Sequence, residues 1–132
     1  MKNVICILFF SLYTLVASAQ NSYLCIPNKT TGFSFDSNKN NWVTSEFITT
    51  ESKRILIKTD SNWEWRRFGH KFGERCGSIS EAGWLICNAF FGTVRFNKNN
   101  LRFVETYTIG YTDGKNNNDN TPSISIGTCT PL

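Results

Sequence analysis

The chain has 132 residues, 40% of them hydrophobic and 18% charged, which suits one small domain and excludes a multidomain protein. Fourteen Lys and Arg against ten Asp and Glu give a formal net charge of +4, a mild excess that fits anionic surroundings and falls short of an argument for nucleic acid. Nothing resembles a pair of C-x-x-C knuckles, which favours disulfide bridges over zinc.

The first nineteen residues read as a secretory signal. Lys2 supplies the positive start, "VICILFFSLYTLV" (4–16) the short apolar core, and "ASA" (17–19) the small-x-small pattern that signal peptidase accepts. A membrane span needs about 20 predominantly apolar residues, and this run is shorter and interrupted by Ser11, Tyr13 and Thr14. Cleavage after Ala19 would leave residues 20–132 as a single β domain, and losing Lys2 lowers the formal charge to +3. A lipidated start at Cys25 is disfavoured, because Tyr23 and Leu24 stand where a lipoprotein signal needs a small residue.

Beyond the leader there is no helical stripe, only short alternating runs punctuated by turn residues. "SYLCI" (22–26) is the first expected strand. "GFSFD" (32–36) follows with Phe33 and Phe35 on one face, and "SNKNN" turns the chain into "WVTSEF" (42–47). "KRILIK" (53–58) and "WEWRRF" (63–68) form a hairpin across "TDSN". Opposing Ile57 to Trp63 and Ile55 to Trp65 gathers the apolar residues on one face. In "CGSISEAGWLIC" (76–87), a turn with Gly83 at positive φ sets Ile79 opposite Trp84 and Cys76 opposite Cys87. In "GTVRFNKNNLRFVETY" (92–107), Phe96 opposite Leu101 and Val94 opposite Phe103 give another apolar face. That register leaves Arg95 facing Arg102 outside, with Glu105 to offset them. "DGKNNNDN" (113–120) is a long exposed hairpin loop, and "PSISIGTC" (122–129) is the last strand. The sum is an all-β protein, a small antiparallel meander of about eight strands closing into a barrel or sandwich.

Without Cys6 of the leader, four cysteines remain, an even number in a short exported chain, which implies disulfides and allows three connectivities. Directly opposed strand positions place Cα atoms about 4.5–5.5 Å apart, within disulfide reach, so Cys76 pairs with Cys87. Cys25 and Cys129 are left to join the first strand to the last. On chain-entropy grounds the local bridge contributes on the order of 3 kcal/mol and the long one nearer 5.

No catalytic set stands out. His70, in "FGHKFGERC", has Glu74 four residues on but no serine in a nucleophile context and no spare cysteine, which makes it a loop residue. Acidic residues are scattered and no pair stands out; Glu64 and Glu81 could meet in space, but a glycosidase needs two carboxylates about 5–10 Å apart in a cleft. "DGKNNNDN" lacks the ligand pattern of a calcium loop, and "NKT" (28–30) is a sequon that matters only in a eukaryotic secretory pathway. "WEWRRFGHKFGERC" (63–76) interleaves basic and aromatic residues. With Trp63 and Trp65 claimed by the core, its candidate binding residues are Arg66, Arg67, His70, Lys71 and Arg75.

The strings "YTIGYTDGKNNNDNTPSISIGTCTPL" (107–132) and "YLCIPNKTTGFSFD" (23–36) resemble uncharacterised small exported proteins of bacteriophages and proteobacteria, which share a "Y-x-C" start, an "NTP" stretch and an "IG-x-C-x-PL" ending. The resemblance implies a bacterial cell-envelope destination and no particular activity. A weaker one is to periplasmic inhibitors of chicken-type lysozyme, small eight-stranded barrels with disulfides. Their "SG-x-x-Y" loop is not matched by "GSISEAG", so no inhibitory residue carries over.

The expectation is therefore a secreted or periplasmic, disulfide-stabilised β-barrel binding protein that does no chemistry, as an inhibitor of or adaptor to a cell-envelope enzyme or glycan. No cofactor, metal, nucleic acid or stable membrane anchor is implied, and a monomer is expected. The alternatives are a small cell-wall or glycan hydrolase and a phage virion or surface structural component.

Overall fold

A computed structural model of the chain describes residues 21–50 and 52–132. The expected leader (1–19), with Cys6 and the cleavage site, lies outside the described residues. Nine strands are present among the described residues: β1 (Ser22–Asp36), β2 (Asn41–Phe47), β3 (Arg54–Lys58), β4 (Trp63–Arg67), β5 (Glu74–Cys76), β6 (Trp84–Ala89), β7 (Gly92–Asn97), β8 (Arg102–Tyr107) and β9 (Ser123–Pro131). The only helix among the described residues is a single 3-10 turn, Gly110–Asp113. None is long and apolar enough to cross a membrane.

All neighbouring strands are antiparallel, in the order β1-β3-β4-β5-β6-β7-β8-β9, and β9 pairs back onto β1 to close an eight-stranded barrel. β2 is the extra strand. The expected "SYLCI" and "GFSFD" segments are one 15-residue strand, whose first part pairs with β3 and whose later part pairs with β2, from Phe33 onward beyond the end of β9. A bulge between Pro27 and Lys29 bends β1 where it lies against β9, as closure of a small barrel requires.

Inward-facing residues alternate along each strand, and they fill the barrel. Tyr23, Leu56, Trp63, Trp65, Leu85, Val94, Phe96 and Phe103 are all buried. Tyr23 packs on Phe96 with ring centroids 5.2 Å apart, and Trp65 on Phe103 at 5.1 Å. An eight-stranded barrel has an interior just wide enough to be packed by side chains. Space for a ligand is therefore left only at an end or on the outer wall.

Both expected disulfides are present. Cys76 faces Cys87 across β5 and β6, and Cys25 faces Cys129 across β1 and β9, with all four cysteines buried. Such bridges belong to an oxidising compartment outside the cytoplasm. Gly83 adopts φ +83° in the β5–β6 turn as expected, and its amide donates to the Ser80 carbonyl.

Two hairpin registers differ from expectation. Across β3 and β4 the pairs are Leu56 with Trp65 and Ile57 with Glu64, one residue away from the expected pairing. The loop has four residues, closed by the Thr59 amide donating to the Asn62 carbonyl at 2.8 Å. Leu56 is the core residue and Ile55 and Ile57 lie half-buried outside. The cause is β1: Tyr23 and Cys25 point inward, and their direct partners on β3 are Leu56 and Arg54, which must point inward too.

Across β7 and β8 the pairs are Phe96 with Phe103 and Val94 with Glu105, a shift of two that preserves the faces. Leu101 belongs to the turn, at φ +59°. The Asn97 carboxamide oxygen accepts from the Asn99 amide at 2.8 Å, and that of Asn100 from the Arg102 amide at 3.0 Å. Arg95 consequently faces Val104 rather than Arg102, and Glu105 points into the barrel.

Since neighbours run antiparallel, the connections 48–53, 68–73, 90–91 and 108–122 emerge at one end. The other end carries 59–62, 77–83 and 98–101, together with Ser22 and Leu132, where the Leu132 amide donates to the Ser22 carbonyl.

Candidate functional site

The end that carries the 48–53, 68–73, 90–91 and 108–122 connections is a polar mouth built on the last inward positions of four strands. Arg54 begins β3, Arg67 ends β4 directly opposite it, Glu105 and Tyr107 end β8, and Ser125 lies near the start of β9. They line a concavity of about 340 Å³.

One carboxylate oxygen organises its floor. Glu105 Oε1 accepts from Arg54 Nε at 3.1 Å and from Trp65 Nε1 at 3.2 Å, and it stands 3.1 Å from Arg54 Nη2. Both partners are about four-fifths buried, so the pair is better screened from water than a surface salt bridge. Arg54 Nη1 is buried without a hydrogen-bond partner, while Arg67 is exposed and makes no ion pair among the described residues. Around them, Thr30 and Ser125 share a hydroxyl hydrogen bond of 2.8 Å, and the Tyr107 hydroxyl donates to Asn120 Oδ1 at 2.7 Å.

The loop that supplies Asn120 is tied down. Asn118 accepts from the Phe35 amide through Oδ1 at 2.6 Å and donates through Nδ2 to the Phe35 carbonyl at 2.9 Å, which extends the ladder along β1 beyond β9. Asn116 Oδ1 accepts from Trp42 Nε1, and Tyr111 packs edge-on against Trp42. The "DGKNNNDN" segment is thus an exposed connection whose asparagines clamp it to β1 and β2.

Apolar side chains rim this end. Ile48, Phe72 and Phe90 are 87%, 87% and 86% exposed, and Phe68 and Phe91 are also exposed. Phe90 and Phe91 form the two-residue turn between β6 and β7, edge to face, and Phe91 stacks obliquely on Tyr107 at 6.0 Å. Single exposed apolar residues are ordinary; here all five stand on connections of the same end, and Phe90 and Phe91 are in ring contact.

Of the residues expected to bind, β4 sends two to opposite faces. Arg67 lines the mouth. Arg66 faces outward, where its Nη1 donates to the Lys71 carbonyl at 3.0 Å and lies 3.8 Å from Glu64 Oε1, bracing the β4–β5 connection. His70 and Lys71 are exposed in that connection at the mouth end. Arg75 stands on β5, opposite Glu64 on the outer wall. Sequence reasoning missed Arg54, Glu105 and Tyr107. The available signal was alternation, since Glu105 falls two residues after the core residue Phe103 and Arg54 two before Leu56.

Fold and site together define a class: a small closed β-barrel, packed solid, stapled by two disulfides, with a polar mouth in an aromatic rim. No protein-family model matches the chain, and neither a curated protein nor a solved structure matches it.

Proposed function

We propose that the chain is an exported binding protein of the bacterial cell envelope, secreted or periplasmic, which docks through its mouth end onto a protein partner as an inhibitor of, or adaptor to, an envelope enzyme. The exposed cluster of Ile48, Phe68, Phe72, Phe90 and Phe91 around a mouth that presents Arg67 carries this reading. Aromatic residues and arginine are enriched where protein interfaces concentrate their binding energy, and lysine is depleted. A packed interior leaves no lumen for a carried ligand, and two disulfides fit the envelope compartment. The resemblance to small exported phage and proteobacterial proteins points in the same direction.

The test is inhibition or capture of a muralytic enzyme by the purified oxidised chain, compared with Phe72→Ser and Phe90→Ser variants. These positions are so exposed that the variants should fold normally. Truncating an interface anchor costs about 2 kcal/mol or more, so binding should weaken at least about thirtyfold. A partner bound equally well by both variants, or no partner in an envelope extract, overturns the proposal.

A further inference from the structure

The outer wall of the barrel carries a second concavity, away from the mouth, that suits a different kind of ligand. Outward positions fall into two rows across the ladder. Trp84, Asn97, Arg102 and Thr128 stand side by side on β6 to β9, and Ile86, Arg95, Val104 and Ile126 form the next row. Between them lies a groove of about 550 Å³, within the size range of small-ligand sites.

Its shape has a backbone cause. The β1 bulge places Asn28 at the groove edge, and Gly127 lets β1 and the Phe103 ring approach the floor. A Cβ on Gly127 would lie 2.3 Å from the Ile26 carbonyl oxygen and 2.5 Å from the Phe103 ring.

The chemistry of the lining is specific. Trp84 and Ile126 are each 50% exposed, giving an indole platform beside an aliphatic wall. No carboxylate lines the groove, and Arg95 and Arg102 form no ion pair among the described residues. Sitting diagonally on adjacent strands, the two guanidinium groups start from backbone positions about 7–8 Å apart, close enough to repel and to be bridged by one anion. Arginine binds carboxylates through a planar two-toothed fork. An exposed indole offers a large apolar face for a sugar ring, and Asn28, Asn97 and Asn100 add amide groups at the margin. A peptide strand is less well suited, because a closed barrel leaves no free edge on this wall for main-chain pairing.

The geometry points to this groove as a binding site for a short carboxylated oligosaccharide, with a ring stacked on Trp84 and its carboxylate held between Arg95 and Arg102. The site is separate from the mouth and does not depend on the function proposed for it.

The oxidised chain is screened against neutral and carboxylated oligosaccharides, and trigalacturonate, maltotriose and triglutamate are then compared by calorimetry. Saturable binding of carboxylated sugars is expected, at least tenfold tighter than maltotriose. It should weaken about tenfold in Arg95→Gln and in Arg102→Gln, be lost in Trp84→Ala, and be unchanged in Phe72→Ser at the mouth. Unchanged thermal unfolding confirms that these exposed-wall variants fold. No carboxylated sugar bound, equal binding of maltotriose, tighter binding of triglutamate, or indifference to both arginine substitutions each overturns the inference.

Discussion

Glu105 is the residue on which the mouth depends. Its Oε1 is shared by Arg54 and Trp65, and Arg54 already has one buried nitrogen without a partner. Replacing Glu105 by Gln keeps the shape and removes the charge, leaving a largely buried guanidinium uncompensated. Because the pair retains some solvent access, the expected loss is about 1–3 kcal/mol, seen as a lower urea midpoint with unchanged slope. The double variant with Arg54→Met should recover part of it, since removing both partners avoids the orphaned charge. Asp36 makes a different contribution. Its carboxylate accepts from the backbone amides of Lys39 and Asn38 across the β1–β2 turn, and these bonds hold its pKa below the ordinary carboxylate value. A lowered folded-state pKa stabilises the turn above the ordinary value, and that contribution is lost as pH falls through the lower folded one. A carboxyl-carbon NMR titration should place Asp36 below an unstructured aspartate, and Asp36→Asn should remove the acid-dependent loosening of residues 36–41.

At the scale of the element, the β3–β4 register separates two similar residues sharply. Leu56→Ala opens a cavity in the packed barrel and should cost about 2–5 kcal/mol, whereas Ile57→Ala, on the half-buried outer face, should cost clearly less. Chemical denaturation of the two variants checks this, and equal losses would contradict the observed pairing. This hairpin also marks how far the sequence was legible. Strand segments, both disulfides and the Gly83 turn were readable because each rests on local alternation or on a covalent partner. The β3–β4 register was not, because "RILIK" offers apolar residues at both parities. The choice between them is made by Tyr23 and Cys25 on β1, far away in the chain. The β7–β8 register was missed by two residues because asparagine side chains close that turn, drawing Leu101 out of the strand. The mouth was illegible for a related reason: Arg54, Arg67, Glu105 and Tyr107 come from three strands and meet only when the barrel closes. The one recognised segment, 63–76, contributed Arg67 to the mouth and turned Arg66 to the other side.

For the whole molecule, stability rests on closure. The β1–β9 seam joins the first strand to the last, and its cystine spans 104 residues against 11 for the β5–β6 bridge. A bond across the longer loop removes more freedom from the unfolded chain, so replacing Cys25 and Cys129 together by Ser should cost more than the same change at Cys76 and Cys87, about 4–5 against about 3 kcal/mol. Thermal unfolding of the two double variants under identical buffer conditions measures the difference. The same closure separates the two proposed surfaces, since the mouth faces one end and the Trp84 groove opens on the wall.

The hydrogen bond between Leu132 and Ser22 sets the start of β1 and the residue that follows β9 at the pole opposite the aromatic rim. A fluorophore or affinity handle attached at Ser22 or Leu132 would therefore hold the barrel by its base, with Phe72 and Phe90 turned toward the solution, and immobilised protein would keep that face available to whatever flows over it.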